Sequence, residues 1–315
     1  MSVLENIIKQ KGLSLGFEKV AIAKAQTYPE HNVLKNWLAQ GMHGTMGYME
    51  RNEKRRTNPL EVMPNARSVI TCALNYNAAY PYSVECKDSD KGWIARYAWG
   101  DDYHLVMEKM LTELSTEISH MVPGTLWKFY VDTGPVMERV FAKNSGIGWI
   151  GKNTCVIDPK LGSFLFLGTI LTTLELKPDP IIEDHCGSCT SCIDACPTQA
   201  ITEPHQLDAR KCISYLTIEH RGEIAPALKA KMGNHIFGCD ICQDVCPWNK
   251  KSPRTARQEF QPREGFFNPN LNEFQKKVEE KYPQDFKNSP LKRAKREGLL
   301  RNLFRLLPAS RDKGH

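Results

Sequence analysis

The sequence predicts an α+β protein in which a region of mixed strands and helices is followed by a small domain built around metal. Three observations support this prediction. Up to about residue 180, β-rich runs alternate with runs of helical spacing. Eight of the eleven cysteines then fall between residues 186 and 246. At 41% hydrophobic and 25% charged residues, the 315-residue chain has an ordinary globular composition and enough length for two domains.

The strand candidates of the first region are rich in β-branched and aromatic residues. They are the runs KVAIAKA, ARSVITCALNY and LWKFYVD, and the segment TCVIDPKLGSFLFLGTILTTL. That last segment predicts two strands joined by a turn at Asp158, Pro159 and Gly162. Helical spacing is found in HNVLKNWLAQG, which ends at Gly41, and in DDYHLVMEKMLTELSTEISHMV. Together these segments predict an α+β domain over residues 1–180, although the strand order does not follow from them.

Two boundaries follow the first region. The proline- and acid-rich stretch ELKPDPIIEDH precedes the cysteine-rich segment, which we assign to a second domain over residues 181–255. The remainder, residues 256–315, is predicted to be a basic helical tail. From Lys287 onward it has nine Lys and Arg residues and two acidic ones, a local charge of +7 in a chain of net charge +6. SPLKRAKREGLLRNLFRLLP predicts a helix with Ser289 as its N-cap and Pro308 beyond its end.

The cysteines of the second domain are closely spaced in a chain without a secretory signal. No run of about 18 apolar residues is present either, so we expect a cytoplasmic protein that does not enter the membrane. Cytosolic thiols are kept reduced, which makes a disulfide framework a poor explanation for this spacing. Metal binding is therefore the first interpretation.

Two cysteine motifs predict the metal. CGSCTSCIDACP has the spacing of bacterial ferredoxins, in which three thiolates hold one 4Fe-4S cluster and the fourth holds the other. GCDICQDVCPWNK repeats the end of this motif with one cysteine fewer, and Cys212 is the only cysteine between the two motifs. Aligning the two Cys-Pro ends predicts both ligand sets. The first cluster has Cys186, Cys189, Cys192 and Cys246, and the second has Cys196, Cys212, Cys239 and Cys242.

A pair of zinc sites is the alternative interpretation of the cysteines. Zinc proteins usually present two separated CxxC pairs, whereas this chain has two runs that both end in Cys-Pro. The iron–sulfur interpretation is therefore favoured. Cys72, Cys86 and Cys155 lie outside both motifs and are expected to be ordinary buried thiols.

Two further features lie before the linker. GIGWIG, residues 146–151, matches the GxGxxG spacing of a dinucleotide site, but it follows a helical run where that site requires a strand, so we predict a glycine-rich helix exit. FYVDTGPVMERV places Asp132 at the end of a strand, before a helix that starts at Pro135. Asp132 could simply cap that helix. Alternatively it is a carboxylic acid that faces a ligand, with its pKa raised by burial so that it donates a proton near neutral pH.

Three stretches together resemble the epoxyqueuosine reductase family. They are VDTGPVMERVFAKNSGIGWIGKNTCVI, the two cysteine motifs, and YAWGDDYH with the distant CISYLTIEHRG, and the resemblance covers roughly residues 40–305. It implies a nitroreductase-like domain that binds cobalamin, followed by a ferredoxin-like module with two 4Fe-4S clusters. It also implies the last step of queuosine biosynthesis, the reduction of epoxyqueuosine in the anticodon loop of tRNA. The chain resembles a short form that lacks the C-terminal helical-repeat domain of longer members.

The resemblance also implies roles for individual residues. Asp132 becomes the proton donor, and Asp240 implies that the second cluster is the one nearer cobalamin. Contacts with cobalamin are implied for Arg55, His104, Asp132, Lys152, Asn153, Thr154, Ser214 and Asp240, and contacts with tRNA for Arg221, Lys229 and Lys231. The familiar D-x-H-x-x-G signature begins at Asp102 but lacks its glycine, so cobalamin is expected without a histidine ligand. An unidentified low-potential electron donor is required, and a monomer is expected.

Two other function classes account for part of the sequence. A ferredoxin-type electron carrier explains the cysteines but leaves the first domain without a purpose. A cobalamin-dependent reductive dehalogenase uses the same cofactors, but such enzymes typically carry a twin-arginine export signal, and Arg55-Arg56 lies too far inside this chain to serve as one. An oxidoreductase acting on tRNA is therefore the favoured prediction.

Overall fold

The computed structural model describes residues 3–307. Its strands in chain order are β1 (Lys19–Lys24), β2 (Ser68–Asn75), β3 (Trp93–Ile94), β4 (Trp127–Tyr130), β5 (Trp149–Ile150), β6 (Val156–Ile157), β7 (Leu165–Thr172), β8 (Ile201–Glu203), β9 (Gln206–Leu207) and β10 (His235–Phe237). Strands β1, β2, β7 and β4 form one antiparallel sheet in that order. The described part of the chain is thus a mixed helix-and-sheet fold, as the sequence predicts.

Helices pack around this sheet, and they are the main regular structure of the C-terminal half. They are α1 (Val3–Ser14), α2 (Glu30–Ala39), α3 (Gly47–Arg51), α4 (Glu53–Thr57), α5 (Tyr103–Met121), α6 (Glu138–Asn144), α7 (Ser191–Asp194), α8 (Ile213–Ile218), α9 (Pro226–Lys229), α10 (Ile241–Asp244), α11 (Pro247–Lys250), α12 (Leu271–Glu280), α13 (Tyr282–Asp285) and α14 (Lys295–Phe304). Within residues 3–307, no helix combines the length and the apolar character needed to cross a bilayer.

The two central strands of the sheet are buried because both of their faces are covered. Every residue of β2 is buried, and β2 pairs with β7 over eight residues, from Ser68–Thr172 to Asn75–Leu165. A strand covered on both faces has a continuous apolar run in place of alternation, as in SVITCALN. All three runs predicted as single strands are confirmed as β1, β2 and β4.

The segment predicted as two strands joined by a turn forms those strands, but they do not pair with each other. The turn is present, with Asp158 and Gly162 bridged across it. However, β6 pairs with β5, whereas β7 joins the main sheet between β2 and β4. The turn therefore connects two separate sheets.

Two large apolar clusters stabilise the fold. The first lies between the sheet and helices α1 and α5, and includes Ile8, Ile70 and Leu111, each fully buried. The second joins Trp93 to Phe237 and to residues of the C-terminal helices, among them Leu299 and Leu303. Because β10 pairs in parallel with β3, with His235 opposite Trp93, the loop that follows β10 is held against the N-terminal region. That loop carries the second cysteine motif.

The helix predicted at the start of the basic tail is interrupted. The hydroxyl of Ser289 accepts a hydrogen bond from Leu291 N, so the predicted cap is confirmed. The first turn is a 3-10 helix over Pro290–Ala294, and the chain then adopts φ 61° at Lys295, where α14 begins. A single continuous helix was therefore the wrong prediction, since α14 must turn to place Leu299 in the core. Pro308 lies outside the described residues.

Candidate active site and cluster-binding sites

Asp132 lies on a loop that leaves the edge strand β4. Its φ of 55° is in the left-handed region, which is strained for a residue with a side chain. The side chain is 69% exposed. Its charge acts on the phenols of Tyr97 and Tyr103, whose pKa values are raised first by burial and then by Asp132. We call the solvent-accessible region bordered by Asp132, Tyr97 and Tyr103 the cleft.

His104 lies between two carboxylates in this cleft. Asp102 is the N-cap of α5, where its Oδ1 accepts a hydrogen bond from His104 N at 3.1 Å and also contacts His104 Nδ1 at 2.6 Å. The other ring nitrogen, Nε2, is 3.7 Å from Oδ2 of Asp132. The ring of Tyr103 stacks on His104 with centroids 4.1 Å apart. The cap and the stacking together fix the direction in which Nε2 points.

The two carboxylates determine where the proton resides. Burial opposes a charge on His104, but the contacts with Asp102 and Asp132 outweigh it and raise the pKa of His104 to about 9. Burial also acts to raise the pKa of Asp132, but His104 and Arg139 reverse this, and the net pKa is lowered. The sequence-based expectation that burial raises the pKa of Asp132 was therefore wrong. At neutral pH the structure places the proton on His104.

Further polar groups of the same cleft lack partners. Nε2 of His104, Oε1 of Glu138 and Nε of Arg56 are buried atoms for which no hydrogen-bond partner exists among residues 3–307. Each such atom costs about 1–3 kcal/mol unless something pairs with it. These atoms are available to pair with the hydrogen-bonding groups of a bound ligand.

The sequence-based reasoning missed most of these groups. Glu138 and Arg139 lie within VMERV, directly after the aspartate that was singled out, and both belong to the first turn of α6. Arg55 was predicted to contact a cofactor, but it is exposed, whereas its neighbour Arg56 is 8% exposed. The guanidinium of Arg56 lies 5.8 Å from the ring centre of Tyr48. The buried end of α4 begins between Arg55 and Arg56, and the sequence alone does not show which of the two faces inward.

The GIGWIG stretch is a helix exit, as predicted. Gly146 follows α6 with φ 78°, a conformation that favours glycine. A Cβ atom at Gly148 would lie 2.1 Å from the carbonyl oxygen of Ile157. The glycines therefore let the backbone turn tightly into β5, and this brings residues 152–155 toward the cysteines.

The four cysteines predicted for the first cluster line one cavity of about 250 Å³, together with Lys152 and Trp248. Lys152 Nζ donates to the carbonyl oxygens of Gly187, at 2.7 Å, and Cys189, at 2.9 Å. Trp149 Nε1 points at the sulfur of Cys186, 3.4 Å away. Hydrogen bonds of this kind hold the cysteine loop and tune a cluster that the sulfurs bind.

The four cysteines predicted for the second cluster form a separate group, and each of them is half-buried. Burial is the main factor that raises the pKa of Cys239 and Cys212, and each is raised further by other thiols of the set. Cys196 accepts a hydrogen bond from Ala200 N at 3.2 Å. Such a group of four thiols becomes a group of thiolates only if a positively charged centre is present to compensate them.

Both groups differ from a site for a single zinc ion. Zinc is held by four ligands about 2.0–2.3 Å away, so its thiolates crowd around one point. Over residues 3–307, no three His, Cys, Asp or Glu side chains converge in this way. The first cysteine group instead borders a cavity of about 250 Å³, which fits a polynuclear cluster better than a single ion.

Cys155 does not behave as an ordinary buried thiol. It is half-buried, and a hydrogen bond with Cys242 lowers its pKa to about 7 despite its burial. The side chain of Asn153 bridges the two segments, because Oδ1 accepts from Cys155 N and Nδ2 donates to the carbonyl oxygen of Cys242, both at 3.2 Å. Of the three cysteines expected to be buried, Cys72 is fully buried, whereas Cys86 and Cys155 are only half-buried.

Asp240, Thr154 and Ser214 were also predicted to bind a cofactor, and each lies in a different part of the site. Asp240 is 2% exposed, and its Oδ2 accepts hydrogen bonds from Trp93 Nε1 and Arg96 N, which tie the cysteine loop to the N-terminal region. Thr154 has φ 66°, and its carbonyl oxygen accepts from Arg139 at 3.1 Å. Ser214 is half-buried at the start of α8, next to Cys212. Thr154 therefore borders the cleft, and Ser214 borders the second cysteine group.

The residues predicted to contact tRNA lie in and around α9. Lys231 is exposed, and Lys229 is half-buried in α9. Arg221 is exposed, but its guanidinium donates to the carbonyl oxygens of Arg293 and Ala294 and so anchors the start of the tail. Its structural role leaves less of Arg221 free for a phosphate than the sequence indicated.

Two family models match the chain. Residues 185–249 match a model described as a 4Fe-4S double cluster binding domain, and this range contains all eight cysteines of the two predicted sets. Residues 56–133 match a model described as epoxyqueuosine reductase QueG, DUF1730, which ends just after Asp132.

Relatives of known name and structure extend the similarity to nearly the whole chain. An epoxyqueuosine reductase from Leadbetterella byssophila is 42% identical over 300 residues, which are 94% of this chain and 96% of the relative. A crystal structure of epoxyqueuosine reductase with an epoxyqueuosine-modified stem loop of tyrosine tRNA matches with a TM-score of 0.88 at 30% identity, over 96% of this chain and 80% of that one. A Bacillus subtilis epoxyqueuosine reductase with a catalytic aspartate loop swung out of its active site has a TM-score of 0.86 at 29% identity, over 96% and 81% of the two chains.

Proposed function

The chain belongs to the epoxyqueuosine reductase family, and from this we propose that it reduces epoxyqueuosine to queuosine in the anticodon loop of tRNA. One observation carries the proposal. A cleft that contains a carboxylate and a protonated imidazole, Asp132 and His104, lies beside two groups of four cysteines within one fold. Opening and removing an epoxide oxygen requires both electrons and protons, and this arrangement offers a source of each.

The eight cysteines are proposed to hold two 4Fe-4S clusters in the sets that the sequence predicts. When bound, the clusters carry electrons one at a time, and cobalamin supplies a strong reductant for the carbon–oxygen bond. The first cysteine set lines the cavity that contains Cys189. In the second set, Cys242 contacts Cys155, and the charge of Arg139 in the cleft acts on Cys155. We therefore assign electron entry from an external low-potential donor to the first cluster and delivery to the second.

Cobalamin is proposed to occupy the cleft that Asp132 faces. The unpartnered atoms of Arg56 and Glu138 and the carboxylate of Asp132 lie where a ligand rich in amide groups could pair with them. Thr154, Asn153 and Lys152 continue the same wall toward the cysteines. These residues include four that the family resemblance implies, Asp132, Lys152, Asn153 and Thr154, and they favour Arg56 over Arg55.

The proton chemistry follows from the contacts of His104. Its Nε2 holds a proton at neutral pH, and Oδ2 of Asp132, 3.7 Å away, is the nearest acceptor on the cleft side. We propose that Asp132 takes this proton and gives it to the departing oxygen of the substrate, while Asp102 keeps the ring in its orientation. An aspartate with a lowered pKa can still act as the proton donor if an adjacent cation, here His104, transfers a proton to it. The loop position of Asp132 agrees with the related structure in which the aspartate loop swings out.

The alternatives explain less of the molecule. If the protein were only an electron carrier, the cleft around Asp132 and the unpartnered atoms beside it would have no function. The exposed basic residues of the C-terminal half, such as Lys231 and Lys292, have no role in a dehalogenase that acts on small molecules. A tRNA substrate accounts for both features, since its phosphates require cations and its loop bases can enter a cleft.

Nucleoside analysis of tRNA tests this function. In a strain that lacks the protein, tRNA should accumulate epoxyqueuosine and contain no queuosine, and a plasmid copy should restore queuosine. Unchanged queuosine in the deletion strain would contradict the proposed function. Restoration by the Asp132→Asn variant at the wild-type level would contradict the proposed role of Asp132.

A further inference from the structure

The indole nitrogen of Trp149 donates a hydrogen bond to a cysteine sulfur of the first predicted ligand set. Trp149 lies in β5 and is 1% exposed, and its Nε1 is 3.4 Å from Sγ of Cys186. Its ring makes edge-on contacts with the rings of His185 and Trp248, whose centres lie 5.2 Å and 5.0 Å away. The indole is therefore held in one orientation, with its N–H directed at the first cysteine group.

Trp149 differs from the other tryptophans in its choice of acceptor. Four other indole N–H groups donate to oxygen atoms 2.6–3.0 Å away, and these are the groups of Trp37, Trp93, Trp99 and Trp127. A neutral thiol is a weak acceptor, so it satisfies a buried N–H group poorly. A metal-bound thiolate accepts a stronger, charge-assisted hydrogen bond. The contact of Trp149 therefore fits a sulfur that binds a cluster better than a free thiol.

Two opposing electrostatic effects act at Cys186. Oδ1 of Asp184 accepts a hydrogen bond from Cys186 N at 2.7 Å, which places a carboxylate beside this ligand. A negative charge there makes it harder to add an electron to a cluster. Reduction adds one negative charge to a bound cluster, and the sulfurs share that charge, so a hydrogen-bond donor aimed at a sulfur favours the reduced state. The N–H group of Trp149 thus opposes the effect of Asp184.

We propose that the hydrogen bond from Trp149 to Cys186 raises the reduction potential of the first cluster and so favours electron entry there. The step is a one-electron transfer in which the external low-potential donor is oxidised, the first cluster is reduced, and no proton or group is transferred. This inference rests on the proposed function, in which electrons enter at the first cluster, and deepens it by naming a residue that favours their entry. Trp149 acts through Cys186 and need not contact the substrate.

A redox titration of the anaerobic holoenzyme, followed by electron paramagnetic resonance, measures this effect without turnover. Trp149→Phe removes the N–H group and keeps an aromatic ring, so one of the two midpoint potentials should become more negative and the other should stay unchanged. The equilibrium constant for electron transfer from the donor to the first cluster should fall by up to about tenfold, which is about 59 mV for a one-electron couple. Trp248→Phe is the matched control, because Trp248 lines the same cavity but its indole makes no hydrogen bond to a cysteine of residues 3–307. Both midpoints of W248F should equal those of the wild type.

A second replacement separates the loss of the N–H group from a change in packing, since phenylalanine is smaller than tryptophan. Benzothienylalanine at position 149 has the shape of tryptophan with sulfur in place of the N–H group. It should retain about eight irons per chain and reproduce the shift of W149F. Unchanged midpoints with this replacement would overturn the inference alone, as would equal shifts of both midpoints, because Trp149 would then act through the fold. A wild-type holoenzyme that has both clusters but forms no queuosine would instead overturn the proposed function, and the entry role of Trp149 with it.

Discussion

Nε2 of His104 lies 3.7 Å from Oδ2 of Asp132, on the side of the ring opposite Asp102. The imidazole is therefore a cation held between two carboxylates, and its pKa of about 9 keeps it charged at neutral pH. An aspartate in contact with this cation is a poor acid by itself, but it can pass on a proton that the histidine replaces. The four predictions below follow from this arrangement and from the two cysteine groups.

Asp132→Asn should abolish turnover without disturbing the site. The amide has the shape of the carboxyl group but cannot relay a proton, and loss of a general acid costs about 10²–10⁴ in rate. Stem-loop Kd and cluster absorbance should stay at wild-type values. Asp88→Asn, in an exposed loop, is the control for the same chemical change. Turnover of D132N at more than a tenth of the wild-type rate would contradict the role of Asp132.

Asp102→Asn should lower the pH above which activity is lost. Asparagine is an equally good N-cap, so α5 should keep its start. The ring loses one of the two carboxylates that raise its pKa, and His104 should therefore release its proton at a lower pH than the wild type. Profiles of kcat against pH for both enzymes check this. The two kcat values should be nearly equal in mild acid, and kcat of D102N should fall increasingly below that of the wild type above neutral pH. Superimposable profiles would rule out Asp102 as the orienting group.

The charge on His104 should also contribute to stability in a pH-dependent way. Its pKa is raised from 6.5 to about 9 on folding, so the contribution is complete below pH 6.5 and is lost as pH rises through 9. At 1.36 kcal/mol for each pKa unit, it amounts to at most about 3 kcal/mol. Urea unfolding of the wild type and of His104→Gln should differ most in mild acid and converge in alkaline buffer. A difference that grows with pH would have the wrong sign for this account.

Cys212→Ala tests the assignment of the second ligand set. The wild type should contain about eight irons per chain, and loss of one ligand should remove the second cluster and leave about four. Cys72→Ala removes a buried thiol that lies in the first apolar cluster, away from both cysteine groups, so it should retain all the iron. Iron and sulfide analysis of anaerobic preparations gives the result. Full iron content in C212A would show that another residue is the ligand.

Sequence patterns were sufficient for the features that depend on spacing along the chain. The apolar run of β2 and the helical period of α5 predicted those elements, and aligning Cys196 with Cys246 predicted cysteine groups that the fold does bring together. Each of these features depends only on residues that are neighbours in the sequence or on a repeated motif.

Features that depend on contacts between distant segments were not predictable from the sequence. The lowered pKa of Asp132 requires His104, 28 positions earlier, and the acidity of Cys155 requires Cys242. Glu138 looks like an ordinary first-turn glutamate until the fold places Asp132 beside it. The break at Lys295 likewise follows from the core that receives Leu299, and not from the helical pattern of the tail.

A single-turnover assay tests the central claim most directly. Protein purified anaerobically, reconstituted with iron, sulfide and cobalamin, and reduced by a low-potential one-electron donor is mixed with an epoxyqueuosine-modified tRNA stem loop, and the nucleosides are identified by mass spectrometry. The account predicts conversion of epoxyqueuosine to queuosine by the wild type and none by D132N. Epoxyqueuosine that remains unchanged with fully reconstituted, reduced wild-type protein would contradict it.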